Sequence, residues 1–266
     1  SISKCTIWFS VPSLLVYFIR LRLINEHYKS NLRTIIFGGE GFPKKYLKNL
    51  FEMFNNSITL ENVYGPTECT CICSSHKINS KDFENMDMFA SLGKINQNYK
   101  YIIDPIDSDN SNIGELILFG PNISLGYFND KELTNKSFIQ NPRNSSFIEI
   151  GYKTGDIVEV GKDQNLYFKS RKDHQIKHMG YRIELGEIES VINQHPNVFE
   201  SAVIYKNFDD SLGILVAYVA ASSKLLEIEI FDYLKNKLPK YMLPRQIKLL
   251  KNLPKNSNGK IDRNSL

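Results

Sequence analysis

Residues 32–68 read LRTIIFGGEGFPKKYLKNLFEMFNNSITLENVYGPTE, and this stretch decides the fold. Its opening, LRTIIF, is a short apolar run with strand chemistry. Pro43 then introduces a segment in which Leu47, Leu50, Phe51 and Phe54 recur at helical spacing, and ITLENV (58–63) returns to a strand. Upstream, CTIWFS (5–10) predicts another strand, and PSLLVYFIR (12–20) a helix with Pro12 at its first position. A β-α-β-α-β order implies parallel strands joined by right-handed crossovers. The GGE of residues 38–40 and the YGPTE of residues 64–68 therefore both follow carboxyl ends of strands, on the sheet edge where open α/β sheets bind ligands.

Composition sets the outer limits. The 266 residues are 42% hydrophobic and 23% charged, an ordinary globular composition with chain enough for one large or two modest domains, which excludes the disordered class. Lys and Arg number 33 against 29 Asp and Glu, a net charge of +4, and the basic residues are scattered. Neither nucleic acid nor a membrane surface is expected as a partner. The apolar run CTIWFSVPSLLVYFI is interrupted by Pro12, closed by Arg20 and Arg22, and too short to span a bilayer. Cys69, Cys71 and Cys73 alternate in CTCIC and are expected on one face of a strand. With only His76 nearby as a further ligand, reduced buried cytosolic thiols are favoured over a metal site or a disulfide.

From about residue 86 to 168 the pattern changes to short strands and turns, including GELILFG (114–120), GDIVEVGKD (155–163) and NLYFKSR (165–171), which predicts a small antiparallel barrel or sheet. Asp156, in YKTGDI, is expected in a turn. The rest reads as a separate α+β unit. ELGEIESVINQ places Leu185, Ile188, Val191 and Ile192 on one helical face, SAVIYK and GILVAYVA are strands, and LLEIEIFDYLKNKL is a second helix. The boundary falls in the polar stretch KSRKDHQ (169–175).

Several residue types point to chemistry. Glycines let a flat ring approach the backbone, Tyr64 offers a stacking face, Thr67 can donate to a phosphate oxygen, and Glu68 can hold a hard cation. Together they describe a nucleotide cradle, although YGPTE alone also reads as a polar turn. Asp156 is either a turn aspartate held by backbone amides or a carboxylate accepting from the vicinal hydroxyls of a ribose. Lys260, in LPKNSNGKIDR, projects from a glycine-bearing loop, where a lysine is ordinarily a solvated surface charge.

The motifs NVYGPTE, GELILFGPNISLGYFND, YKTGDI, SRKDHQIKHMGYRIELGEIE, LPKYMLP and NGKIDR occur in an order and at separations that resemble the adenylate-forming (ANL) superfamily. Within it the chain is similar to the amino-acid adenylation domains of nonribosomal peptide synthetases and to D-alanine carrier-protein ligases. The resemblance covers almost the whole chain from residue 36. It implies an α/β plus α+β fold: the end of a large adenylation core at 1–171, with a parallel α/β layer (1–85) and a small β-barrel (86–171), followed by a small mobile domain at 172–266.

The resemblance also implies roles. Gly38, Gly39 and Glu40, with Asn62 and Tyr64, would form the adenine pocket, Gly65 would also belong to the nucleotide site, Thr67 would contact the α-phosphate, and Glu68 would bind Mg2+. Asp156 and Arg171 would hold the ribose, and Lys260 would bridge the substrate carboxylate, the ribose and the α-phosphate. Asp173 would be the hinge, and the loop at Gly180 would face the pantetheine channel in a second, thioester-forming step. The side-chain pocket would be lined by Phe9, Ile36, Gly38, Val63, Cys71 and Ile72, uncharged residues that favour a neutral amino acid larger than alanine, with Gly38 leaving room. The implied cofactors are ATP and Mg2+, the partner is a phosphopantetheinyl carrier protein, and the location is cytoplasmic.

Two departures accompany the resemblance. The family's Ser/Thr/Gly-rich phosphate loop and its amino-group anchor would lie upstream of Ser1, so the chain is expected to be the C-terminal portion of an adenylation domain, inactive without the N-terminal part. Ser170 stands where the family generally has glycine. Two other readings remain open here: an acyl-CoA or aryl-acid ligase of the same fold, and a non-catalytic module that binds a carrier or partner protein.

Overall fold

Strand β1 (Ile7–Ser10) runs into α1 (Pro12–Arg20), where Pro12 occupies the first turn and its missing N–H breaks no helical bond. The computed structural model describes residues 4–24, 31–54, 57–86, 89–106, 111–172, 175–206, 213–222, 225–256 and 260–266. The chain divides into two units, Ser1–Asp173 and His174–Leu266.

In the first unit β2 (Thr34–Gly38), α2 (Lys44–Phe54), β3 (Thr59–Tyr64), β4 (Ser74–Lys77) and β5 (Lys94–Ile95) follow. The sheet order is β1-β2-β3-β4-β5, with β1, β2 and β3 parallel and β4 and β5 antiparallel. Both helices cover one face: Leu15 and Val16 of α1 and Leu47, Leu50 and Phe54 of α2 share a buried cluster with Ile35, Phe37 and Leu60. Side chains alternate along a strand, so Phe9, Ile36 and Val63 belong to the opposite face. Phe9 is 56% exposed there.

The cysteine-rich stretch departs from the strand expected of it. After β3 the chain makes a short 3-10 turn at Thr67–Cys69, and Thr70 (φ 58°) and Cys71 (φ 77°) are left-handed before β4 begins at Ser74. Left-handed residues break the two-residue alternation, so Cys69 and Cys73 turn inward while Cys71 faces solvent. None of the four cysteines is in a disulfide.

The second sheet holds β6 (Lys100–Pro105), β7 (Ile113–Phe119), β8 (Phe138–Gln140), β9 (Ile150–Val160) and β10 (Leu166–Arg171), with the short helix α3 (Lys131–Ser137) leading into β8. The antiparallel order is β10-β9-β7-β6, with β8 also on β9. This corrects the β-barrel. Among the described residues the sheet stays open, because the outer edge of β10 is occupied: Leu92 N–H bonds Leu166 O and Leu166 N–H bonds Gly93 O, both at 2.8–2.9 Å. Asp156 is not in a turn either. It lies inside β9, opposite Arg171 of β10, and Gly155 beside it (φ 71°) forms part of a bulge where the β7–β9 register shifts between Glu115 and Ile117.

The second unit opens with a hairpin, β11 (Gln175–His178) and β12 (Tyr181–Glu184), followed by α4 (Leu185–Asn193), β13 (Val198–Lys206), β14 (Ile214–Ala221), α5 (Glu227–Lys235) and β15 (Gln246–Leu250). β13 and β14 are antiparallel, and β15 joins β14 in parallel. Ile188 and Ile192 of α4, Ile230 and Leu234 of α5, and Val203, Ala217 and Val219 of the sheet make its core. Among the described residues no helix is long and apolar enough to cross a membrane.

Candidate nucleotide site and the family it belongs to

The carboxyl ends of β2 and β3 lie side by side, with Gly38 in register with Val63. From the end of β3 the Tyr64 hydroxyl donates to Asp156 Oδ2 at 2.6 Å, and Arg171 Nη1 donates to Asp156 Oδ1 and to Thr154 O, each at 2.8 Å. Asp156 is 3% exposed, so both oxygens of a buried carboxylate carry a protein donor. Burial pushes the Tyr64 hydroxyl well above the ordinary tyrosine value, and the Asp156 charge beside it adds to the shift. Tyr64 thus remains a donor.

Asn62, also buried, donates from Nδ2 to Ser91 O at 2.7 Å. Glu40 accepts the Ser13 N–H at 3.1 Å, placing a carboxylate at the first turn of α1, where the cap residue Val11 offers no side-chain acceptor. Gly39 and Thr67 are exposed. Glu68 is buried in the 3-10 turn and accepts the Tyr127 hydroxyl at 2.6 Å, while Tyr127 meets the Tyr152 hydroxyl at 3.4 Å. Tyr127 and Tyr152 join the Glu68 cluster, and the sequence alone does not single them out. Tyr127 lies in the LGYFND segment, 59 positions from Glu68, and nothing local in the sequence joins them.

Metal-ligating potential is modest. Among the described residues there is no group of three or more His, Cys, Asp or Glu able to hold an ion. A single buried carboxylate oriented by a tyrosine suits Mg2+, which keeps several waters and takes one or two carboxylates together with substrate phosphates.

Of the pocket residues, Phe9, Ile36, Gly38 and Val63 share one face of the sheet, and Cys71 and Ile72 sit in the turn that follows β3. Glu61 shares that face and is in register with Lys77. The room expected at Gly38 is taken: a Cβ there would lie 2.3 Å from Val63 O and 2.8 Å from Val63 Cγ2. Gly65 is similarly constrained, since a Cβ would come within 2.0 Å of Cys71 O. These glycines are required by backbone packing.

In the second unit Gly180 (φ 83°) and Met179 (φ 52°) form the two-residue turn of the β11–β12 hairpin, the left-handed pair of a type I′ turn. Tyr181 of this hairpin stacks on Tyr241, ring centroids 3.8 Å apart and 3° from parallel. Lys260 is exposed, and its backbone is tied to Asn256 by Lys260 N–H to Oδ1 at 3.0 Å and Asn256 N–H to Lys260 O at 2.8 Å. The hinge position, Asp173, lies outside the described residues.

Residues 2–128 match the profile of the AMP-binding enzyme family, and residues 187–260 match that of the AMP-binding enzyme C-terminal domain. Gramicidin S synthase 2 of Brevibacillus brevis is 33% identical over 273 residues, covering 99% of this chain and 6% of that protein. Tyrocidine synthase 3 of Brevibacillus parabrevis is 32% identical over 243 residues, covering 89% and 4%. A solved NRPS protein containing adenylation and PCP domains, bound to a vinylsulfonamide inhibitor, shares the fold with a TM-score of 0.81 at 23% identity, covering 98% of this chain and 44% of that one. The chain therefore spans only a small part of the curated relatives and less than half of the solved structure. On the strength of both profiles and these relatives, it belongs to the AMP-binding, adenylate-forming enzymes.

Proposed function

We propose that the chain serves ATP-dependent activation of a carboxylic acid, with a neutral amino acid the favoured substrate, as an acyl adenylate, followed by transfer to the phosphopantetheine thiol of a carrier protein in the cytoplasm. The observation that carries the reading is the buried Asp156 carboxylate, held by Tyr64 and Arg171 beside the ends of β2 and β3. Each carboxylate oxygen has a second lone pair, and a ribose presents two vicinal hydroxyls at the matching spacing. A carrier partner is supported by the solved relative with a PCP domain.

In this reading the substrate carboxylate attacks the α-phosphorus of ATP and the bond to pyrophosphate breaks. Lys260 neutralises the carboxylate and α-phosphate oxygens as charge spreads over them, and Thr67 donates to the phosphate. Glu68 would hold Mg2+, which supplies charge neutralisation on the phosphates. The thiol of the carrier then attacks the acyl carbon, AMP leaves, and the thiol proton passes to solvent. Rotation of the second unit at Asp173 would exchange Lys260 for the Gly180 turn between the two steps. No Ser/Thr/Gly-rich phosphate loop occurs in the 266 residues, so the triphosphate would need a cradle from outside them, and the chain alone should not turn over.

Pyrophosphate exchange with an amino-acid panel tests the reading. An enzyme containing this chain together with the upstream part of its domain should exchange with a neutral amino acid, while the isolated chain stays at background. Preference for Asp, Glu, Lys or Arg would refute the pocket. Coenzyme A as the better acceptor would favour the CoA-ligase reading. Carrier binding without any ATP-dependent exchange would favour a binding module.

A further inference from the structure

At the end of the first unit two buried carboxylates hold two consecutive basic residues. Asp156 holds Arg171, and Glu115 Oε2 accepts from Lys172 Nζ at 2.8 Å. Glu115 lies on β7, with its side chain 5% exposed, and Lys153 Nζ stands 3.5 Å from the same oxygen. Its other oxygen accepts the Gly155 N–H at 3.2 Å. The Gly155 carbonyl in turn accepts the Lys172 N–H at 2.8 Å. These three bonds close a ring through Glu115, Gly155 and Lys172, seated on the bulge where β7 and β9 shift register.

The charge arrangement separates this ring from ordinary core packing. The Lys172 side chain is 57% exposed, so a largely solvated cation is drawn down onto a buried anion. The hydrogen bond to Glu115 makes its ammonium hold the proton more tightly than an ordinary lysine. Removing Glu115 takes the acceptor from both the Gly155 N–H and the Lys172 ammonium, whereas removing the Lys172 charge leaves Glu115 with Lys153 and the Gly155 N–H and costs only the charged hydrogen bond. Lys172 is also adjacent to Asp173, where the first unit ends.

We propose that Glu115 is a positioning residue for the change between the two half-reactions. By holding both the backbone (through Gly155) and the side chain of Lys172, it fixes the end of the first unit up to that residue, so that rotation is confined to the chain beyond it. This rests on the two-step reading given above. Without the grip, the pivot would slide back into β10, loosening Arg171 and with it the Asp156 pair.

Amide hydrogen exchange on the 266-residue chain tests the grip, using Glu115→Gln, Lys172→Met and Lys172→Arg. The lysine variants alter an exposed side chain, so folding is preserved even where Glu115→Gln is poorly tolerated. Both Glu115→Gln and Lys172→Met should speed exchange of the residue-172 amide by about tenfold, the effect of losing one charged hydrogen bond, while Leu116 and Leu118 keep their protection and Lys172→Arg restores the original rate. In the complete enzyme, Lys172→Met should change the ratio of thioester formation to adenylate formation by about tenfold, and Lys172→Arg should not. Unchanged exchange at residue 172, or loosening spread evenly over β7 and β9, overturns the proposal. Localised loosening with an unchanged ratio overturns the positioning role. Failure of the unaltered complete enzyme to form any adenylate refutes the two-step reading instead, and is recognisable because the exchange pattern is then intact.

Discussion

Asn62, Tyr64, Glu68 and Asp156 in the first unit are buried and each is bonded to another part of the chain, whereas Lys260 and Gly180 in the second unit stand exposed on turns. The two regions solve different physical problems. A buried network is already desolvated and oriented, so a ligand meets groups that need no reorganisation. An exposed lysine keeps its hydration until something displaces it, so its contribution depends on delivery. In the proposed reaction the first region recognises the nucleotide in both steps, and the second supplies groups that act in one step each.

The sharpest way to break this comparison is Asp156→Ala. It removes the buried carboxylate that the Arg171 guanidinium and the Tyr64 hydroxyl share, and urea unfolding of the chain should show a loss of about 3–5 kcal/mol, the cost of breaking a buried pair. A loss below about 1 kcal/mol would mean that the network is not an anchor. Lys260→Ala should do the reverse: stability within about 0.5 kcal/mol of the parent, and adenylate formation in the complete enzyme lowered about a hundredfold or more. Transfer from preformed adenylate should persist in that variant. Equal loss in both steps would erase the division of labour.

A smaller effect sharpens the second region. A lone two-stranded hairpin is marginal in water, and the Tyr181–Tyr241 stack ties this one to the 240–242 turn. Tyr241→Ala should cost about 0.5–1.5 kcal/mol and speed exchange in β11 and β12, while Tyr241→Phe should retain both. Exchange that is insensitive to Tyr241→Ala would assign the hairpin's order to Ile183 in the core instead.

The smallest expected effect is alkaline. Tyr64 is held well above its ordinary value by burial and Asp156, and Tyr99 is pushed up to about 12, mainly by burial. Both raised values belong to the folded state. The stability they confer is complete below the unfolded tyrosine value of about 10 and is lost as pH rises beyond it, because only the unfolded chain then releases these protons. Unfolding midpoints between pH 10 and 12 should fall for the parent and fall less for Tyr99→Phe. An identical slope would dissociate this tyrosine from the transition.

What can be read from the sequence is what is local. Strand and helix periods are set within a few residues, so β1 to β3, both helices between them, and α4, α5, β13 and β14 of the second unit follow from spacing alone, whereas the β11–β12 hairpin and β15 do not. Asp156 escapes such a reading because a Gly-Asp pair has turn chemistry, and only the neighbouring strands β7 and β10 turn Gly155 into a bulge within a continuous strand. The cysteines escape it for a related reason: alternation fails across Thr70 and Cys71, whose left-handed backbone no composition announces. The barrel stays open because of bonds from Leu92 and Gly93 to Leu166, more than 70 positions away. Partnerships such as Tyr127 with Glu68, or Glu115 with Lys172, likewise belong to the packing of sheets rather than to any short motif.

If the proposed pocket sets substrate choice, the close approach at Gly38 bears on how that choice drifts or is engineered. Because even a methyl group at that position would run into the main chain of β3, every single-codon replacement there threatens strand pairing before it reaches a substrate. A saturation library at position 38 should return mostly insoluble clones and few altered preferences. Diversification is better directed to Ile36 and Val63, which share the same face and carry side chains that can be trimmed, or to the exposed Cys71.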